Sequence, residues 1–401
     1  MNAARGAVGV KQGGAARGAR SAGTAVRGGS ATASAARGAS ATSAPGAKVA
    51  VIGAGSWGTT FAKVLCDAGS DVTMWARRPE VAEEIQVAKR NSQYLPGVNL
   101  PKTLKATTEL ADALRGARLV FLAVPSQSLR QNLLDLEPYL ERTSILVSLV
   151  KGVERSTTMR MSEVVHDTLD LEPDRIAVVS GPNIALEIAK EQPTGAVAAC
   201  ASIEIAQEVA KACSAPYFRT YVNTDVVGTE LGGVLKNLIA LAIGIVDGVG
   251  YGENTKASII TRGLAEMTEF AVGQGGEPGT LSGLAGLGDL IATCQSPLSR
   301  NNTAGRLIGQ GYSQEETREQ MQQTAEGITS VAPILEIAKQ QGVVMPIVQQ
   351  VGMVLDGEME PKDLGPHLAT EDGIPQRELV LGRDAQTGWR RLFGRRKERA
   401  K

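Results

Sequence analysis

Two sets of residues in this chain are placed for chemistry. Gly53, Gly55 and Gly58 stand in the run Gly53-Ala54-Gly55-Ser56-Trp57-Gly58, directly after the continuous apolar stretch 49–52 and just before a helical pattern. In that context the first glycine permits a tight turn, the second lets backbone approach a pyrophosphate, and the third lets helix and strand pack closely. The helix N-terminus then offers unpaired N–H donors and a favourable dipole to the phosphates. The second set centres on Lys236, inside 231–241, a segment apolar nearly all round and therefore a candidate buried helix. An ammonium there is either paired or shifted down from about 10.4, which makes a lysine competent for proton transfer near neutrality. The alternative is a long side chain that snorkels to water. Gly232 and Gly233, one turn earlier, leave a notch on the helix where a small substrate could approach.

A dehydrogenase needs a group that protonates a carbonyl oxygen as hydride arrives, and histidine is a common choice. This chain has only His166, in the polar helical stretch 159–170, and His367, in an irregular end segment; both read as surface residues. A lysine is the natural candidate instead. Asp289 follows the glycine-rich run 282–288 at a helix start, where it serves either as an N-cap or as the carboxylate that pairs with Lys236. Ser299-Arg300-Asn301-Asn302 is a polar cluster able to grip phosphate, with Arg300 as the planar donor fork, or else an ordinary solvated loop. Arg77-Arg78 stands at the end of the second strand, where an acid would bind the ribose of NAD. A cation pair there accommodates a 2′-phosphate, so NADP (NADPH) is the preferred cofactor and NAD a usable one; a solvated surface pair is the other reading.

The elements that must position these residues follow from apolar periodicity. Runs at 49–52, 71–76, 119–124, 145–150, 176–179 and 196–200 alternate with helix-length amphipathic segments, one of them about 59–68. This implies a doubly wound, mostly parallel sheet over 47–224. From 225 to 364 the pattern is helix after helix, including 231–246, 259–272, 313–322 and 330–341, so this part is expected to be all α. Residues 1–46 are Ala, Gly, Ser and Arg with scattered Thr, and are expected to be disordered. Being Arg-rich and free of acids they superficially match an organelle transit peptide; the favoured reading is a dispensable tail or an overextended start. Residues 365–401 read as an irregular tail, basic toward its end.

Composition narrows the function classes. At 401 residues the chain suits two domains, and 43% hydrophobic with 21% charged residues allows sizeable cores. Basic and acidic residues number 42 each, which argues against a nucleic-acid partner. Cys66, Cys200, Cys213 and Cys294 are far apart without a CxxC pair, so neither a disulfide framework nor a metal site is expected, and the compartment is read as cytoplasmic. No apolar run reaches membrane-spanning length without polar or glycine interruptions, so no stable membrane insertion is expected.

From about 48 to 356 the chain resembles the bacterial-type NAD(P)-dependent glycerol-3-phosphate dehydrogenases, through GAGSWGTTFA, FLAVPSQ, Val150-Lys151-Gly152, Ser180-Gly181-Pro182, LGGVLKNLIALAIGIVDG, TRGLAEM, GLAGLGDLIATC, SRN and AEG. The resemblance implies a Rossmann domain and a helical domain with the active site between them. It further implies reduction of dihydroxyacetone phosphate to sn-glycerol 3-phosphate for phospholipid synthesis, and a homodimer. By position, Lys236 matches the proton-transfer lysine and Lys151 a lysine touching cofactor and substrate. Gly181, Asn183, Asp289, Ser299, Arg300 and Asn301 match substrate-side positions, Arg300 also lying near the cofactor. Ser56, Trp57, Arg77, Arg78, Ala185 and Glu326 match cofactor contacts. Three departures stand out: Asn183 replaces a frequent hydroxyl residue, Val150 stands where Thr or Ser is common, and the stretch before Glu326 is one residue shorter than in some relatives. Two other readings are a reductase of another small keto acid such as ketopantoate, against which the Arg300 cluster argues, and a non-catalytic NADPH-binding module, against which Lys151, Lys236 and Asp289 argue.

Overall fold

Why the sheet forms where it does is clearest at its centre. Strand β1 (Lys48–Ile52) has four residues with no exposure, because both its faces are covered, and a continuous apolar run is what such a strand requires. In the computed structural model, which describes residues 47–321 and 325–365, β1 lies between β2 (Asp71–Trp75) and β4 (Leu119–Leu122), parallel to both. With β3 (Lys105–Thr107), β5 (Ile145–Ser148), β6 (Ile176–Ser180), β7 (Thr194–Cys200) and β8 (Phe218–Asn223) the sheet runs in the order β3-β2-β1-β4-β5-β6-β7-β8. All neighbours are parallel except β6 and β7, which pair antiparallel. Strand order reverses beside β1, the place where doubly wound sheets bind ligands at the carboxyl ends of their strands.

Two strands carry no apolar run in the sequence. The edge strand β3 is three residues long and half-exposed, and β8, the other edge, exposes Tyr221 and Val222. An edge strand is solvated on one side, so its sequence need not be apolar throughout. The first helix, Ser56–Asp67, begins inside the glycine motif with Gly55 as N-cap, three residues before the periodicity places its start.

After Asn223 the described residues form helices joined by turns and loops. The Val226–Val249 helix starts at the N-cap Asp225, whose Oδ1 accepts the Gly228 N–H at 2.7 Å, and it is buried without interruption from Gly228 to Val246. It is long and apolar enough to cross a membrane, with mean hydropathy 1.6, yet 83% of that stretch is buried inside the protein. Other helices wrap it, including Glu253–Gly273, Asp289–Gln295, Arg300–Gly309, Glu326–Gln341 and Pro346–Leu355. Its tightest crossing is with Arg300–Gly309: a Cβ on Gly244 or Gly248 would strike backbone of that helix, and a Cβ on Gly305 or Gly309 would strike backbone of the long helix. Only glycine allows so close an approach. The expectations for 1–46, for His367 and for all but the first residue of 365–401 lie outside the described residues.

Candidate active site

The turn after β1 is built as the glycine spacing requires. Gly53 has φ +111, and a Cβ there would stand 2.6 Å from the Ala123 carbonyl oxygen. Gly55 has extended backbone with open space where its side chain would be, room for a phosphate to approach. A Cβ on Gly58 would collide with the Gly53 carbonyl, so the helix can sit on the turn only without one. Ser56 and Trp57 open the helix, and their N–H groups belong to its unpaired first turn. The Trp57 indole N–H is buried without a partner while its ring packs edge-on against Phe61 at 5.2 Å. A buried orphan donor beside an open phosphate cradle fits a bound dinucleotide. Sequence reasoning overlooked Asn91, fully buried, whose Nδ2 donates to the Ala54 carbonyl at 2.9 Å and to Thr59 Oγ1 at 2.8 Å and so fixes the turn. Nothing in its spacing marks it.

Beyond β2, Arg77 is exposed, whereas Arg78 lies 5.2 Å from the centre of the Tyr94 ring and donates to Gln93 at 2.5 Å. The pair thus divides: one guanidinium is held by its own chain, the other reaches outward.

The loop after β6 is fastened at both ends. Gly181 has φ +149. Asn183 donates from Nδ2 to the Gly195 carbonyl at 3.4 Å, and its Oδ1 is buried without a partner. The Ala185 carbonyl accepts from Thr60 Oγ1 at 3.3 Å, which ties the loop to the helix that begins at the glycine turn.

Opposite this loop, three segments meet at one carboxylate. Asp289 is 1% exposed; its Oδ1 accepts from Lys236 Nζ at 3.0 Å and its Oδ2 from Lys151 Nζ at 2.5 Å. Gly288 holds the N-cap position, so Asp289 is the partner of the lysines and not a cap. Lys236 also donates to Thr293 Oγ1 at 2.6 Å, and Lys151 to the Gly181 carbonyl at 3.2 Å. Thr293, one helical turn after Asp289 on the same face, escaped the sequence reading, although that spacing is a visible signal. Burial pulls the Lys236 ammonium down to about 8, helped by the nearby Lys151 and opposed by Asp289. Lys236 therefore does not snorkel: the residue is 7% exposed.

The notch at Gly232 and Gly233 is filled by protein. A Cβ on Gly232 would strike the Ala285 carbonyl, and one on Gly233 would stand 2.6 Å from Ser180 Oγ and 3.4 Å from the Lys151 methylenes. The glycines admit the 285–286 backbone and Lys151, not a substrate.

Ser299 caps the Arg300–Gly309 helix by accepting from the Asn302 N–H at 3.3 Å. Arg300 is exposed at its first turn. Asn301 is 8% exposed and its amide is engaged by protein, donating to Asn237 Oδ1 and accepting from the Gly327 N–H, both at 2.8 Å. Its side chain joins the start of the Glu326–Gln341 helix to the long helix, a tie that the sequence does not announce. Burial raises the Glu326 carboxyl, while Arg300, Lys151 and Lys236 each lower it, so Glu326 shares the field of the same cluster. His166 lies exposed, with Nδ1 at 2.7 Å from the Leu171 carbonyl.

A cradle for a dinucleotide, a lysine able to exchange a proton near neutrality and an arginine at a helix start are the parts of a carbonyl reductase for an anionic substrate. Comparison with known proteins agrees. Family models for the N-terminus and the C-terminus of NAD-dependent glycerol-3-phosphate dehydrogenase match residues 48–206 and 225–365. A protein of Leifsonia xyli named glycerol-3-phosphate dehydrogenase [NAD(P)+] is 64% identical over 83% of this chain and 90% of its own length. A Streptomyces griseus protein of the same name is 53% identical over 82% and 98%. The crystal structure of glycerol-3-phosphate dehydrogenase from Coxiella burnetii superposes with a TM-score of 0.77 at 34% identity, covering 81% of this chain and 99% of that one. The chain belongs to the NAD-dependent glycerol-3-phosphate dehydrogenase family.

Proposed function

We propose that this enzyme reduces dihydroxyacetone phosphate to sn-glycerol 3-phosphate, reversibly, with NADPH preferred over NADH, and that Lys236 carries the proton. The observation that carries this reading is the buried Lys151–Asp289–Lys236 cluster, in which one lysine is pulled into the range where it gives and takes a proton near neutral pH. When bound, the nicotinamide supplies the hydride for C2. Lys236 donates its proton to the carbonyl oxygen, and Asp289 and Thr293 aim the ammonium. Lys151 touches both substrate and cofactor, with Gly181 and Asn183 on the substrate side. Ser299, Arg300 and Asn301 receive the phosphate through the first turn of their helix and the Arg300 fork; binding energy remote from C2 then fixes the carbonyl. The glycine turn, Ser56, Trp57, Ala185, Arg300 and Glu326 hold the cofactor. Arg77, with Arg78 beside it, takes the 2′-phosphate. The product supplies the glycerol phosphate backbone of phospholipids.

We further propose a cytoplasmic homodimer, on the resemblance and on four free thiols that suit a reducing compartment. The deciding assay follows NADPH oxidation with dihydroxyacetone phosphate beside ketopantoate. Turnover with the first alone is expected. Turnover with ketopantoate alone would assign a different keto substrate, and none with either would leave a binding module.

A further inference from the structure

The long helix carries another buried charge, Glu230, six residues before Lys236 and outside the chemistry above. Its side chain is 2% exposed, and a carboxylate so buried is tolerated only when its oxygens are bonded. All of its donors come from the sheet half: the Ser162 backbone N–H at 2.9 Å, Ser162 Oγ at 2.6 Å and Arg160 Nη1 at 3.0 Å. These residues open the Met161–Leu169 helix, so Glu230 also meets the positive end of a helix in the other half of the molecule.

What Arg160 is joined to gives this contact its consequence. Arg160 pairs with Val153 in an isolated antiparallel bridge, and Val153, 1% exposed, is buried in the core of the helical half. Lys151 lies two residues before Val153, with its methylenes beside Gly233, one turn after Glu230. The 150–160 loop is therefore pinned to the long helix at Glu230 and at Gly233 and to the core of the helical half at Val153, and Lys151 projects from between these pins onto Asp289.

We propose that Glu230 is a positioning residue: by gripping Arg160 and Ser162 it holds the 150–160 loop on the catalytic helix, so that Lys151 and Lys236 occupy opposite oxygens of Asp289. The inference rests on the reading of Lys236 as the proton carrier. The titratable groups that face Lys236 are Asp289 and Cys294 from the Asp289–Gln295 helix, Lys151 from the loop and Glu326 from the helix it opens, with Arg300 beside Glu326. Among them Lys151 lowers the Lys236 ammonium and Asp289 raises it. Releasing Lys151 removes a lowering influence and leaves Asp289 to Lys236 alone, so the ammonium persists to higher pH. Carbonyl reduction needs the ammonium, and its alkaline limb then moves upward. Alcohol oxidation needs the amine, and its acidic limb moves upward as well.

The test measures kcat/KM for dihydroxyacetone phosphate against pH in Glu230→Gln and Ser162→Ala, with NADPH affinity and thermal midpoint taken on the same samples. The expected result is an upward move of the alkaline limb by about half to one pH unit in Glu230→Gln. Ser162→Ala should move it less in the same direction. A carboxylate that only stabilises the fold would lower the midpoint and leave the limb in place, which overturns the inference. If Glu230→Gln does not fold, Ser162→Ala decides by the same criterion. A parent enzyme without a limb near 8 would overturn the reading of Lys236 and this inference with it.

Discussion

The glycine turn and the lysine cluster reach function by different routes. The turn is one stretch of chain, Gly53 to Gly58, whose work is done by backbone and by missing side chains. The cluster draws Lys151, Lys236, Asp289 and Thr293 from three distant segments, and its work is done by charge in a buried place. A site of the first kind is specified locally and resists change sterically. One of the second kind exists only once the whole fold has closed, and it responds electrostatically.

Substitutions should separate the two. Lys236→Ala is expected to have the largest effect, a loss of about 10³- to 10⁴-fold in kcat with NADPH affinity nearly intact, read by steady-state turnover and cofactor titration. Asp289→Asn leaves two ammonium groups with no carboxylate between them; it should destabilise the protein by about 3 kcal/mol in denaturant unfolding and depress kcat as well. Gly58→Ala acts on the other region. Its methyl group meets the Gly53 carbonyl, an overpacking cost of roughly 1–3 kcal/mol; NADPH affinity should fall by about 10- to 100-fold, while the alkaline limb stays where it is. A shifted limb in Gly58→Ala would show that the two regions are not independent. The smallest effect expected is a change of preference: replacing Arg77 with Asp and Arg78 with Ser should weaken NADPH about 10-fold more than NADH. Equal weakening would remove both residues from the 2′-phosphate.

How much of this was legible in the sequence follows the same division. The turn, the central strands and the buried long helix were readable, because each is encoded by neighbours in sequence at fixed spacing. Within the cluster, Lys236 was marked as anomalous by its apolar helix, yet whether it was buried or snorkelled depended on what packs around it. Lys151 carries no local signal: the family resemblance alone marks it as a cofactor and substrate contact, and only the fold brings it beside Asp289. The notch at Gly232 and Gly233 was visible but its occupant was not, since the segments that fill it come from elsewhere in the chain. Asn301 reads as a phosphate ligand in its polar run, but the fold turns its amide onto Asn237 and Gly327. Arg78 likewise reads as half of an outward pair until Tyr94 and Gln93 come beside it. The edges β3 and β8 escaped because half-solvated strands need no apolar run.

The central claim is that one buried lysine gives the proton in reduction and takes it back in oxidation. Its most direct test is the pH dependence of kcat/KM in both directions on the same enzyme. Reduction of dihydroxyacetone phosphate should fall, and oxidation of sn-glycerol 3-phosphate should rise, through a common group near 8, where burial holds Lys236. Limbs governed by different groups, or a reduction rate that rises with pH through this range, would contradict it.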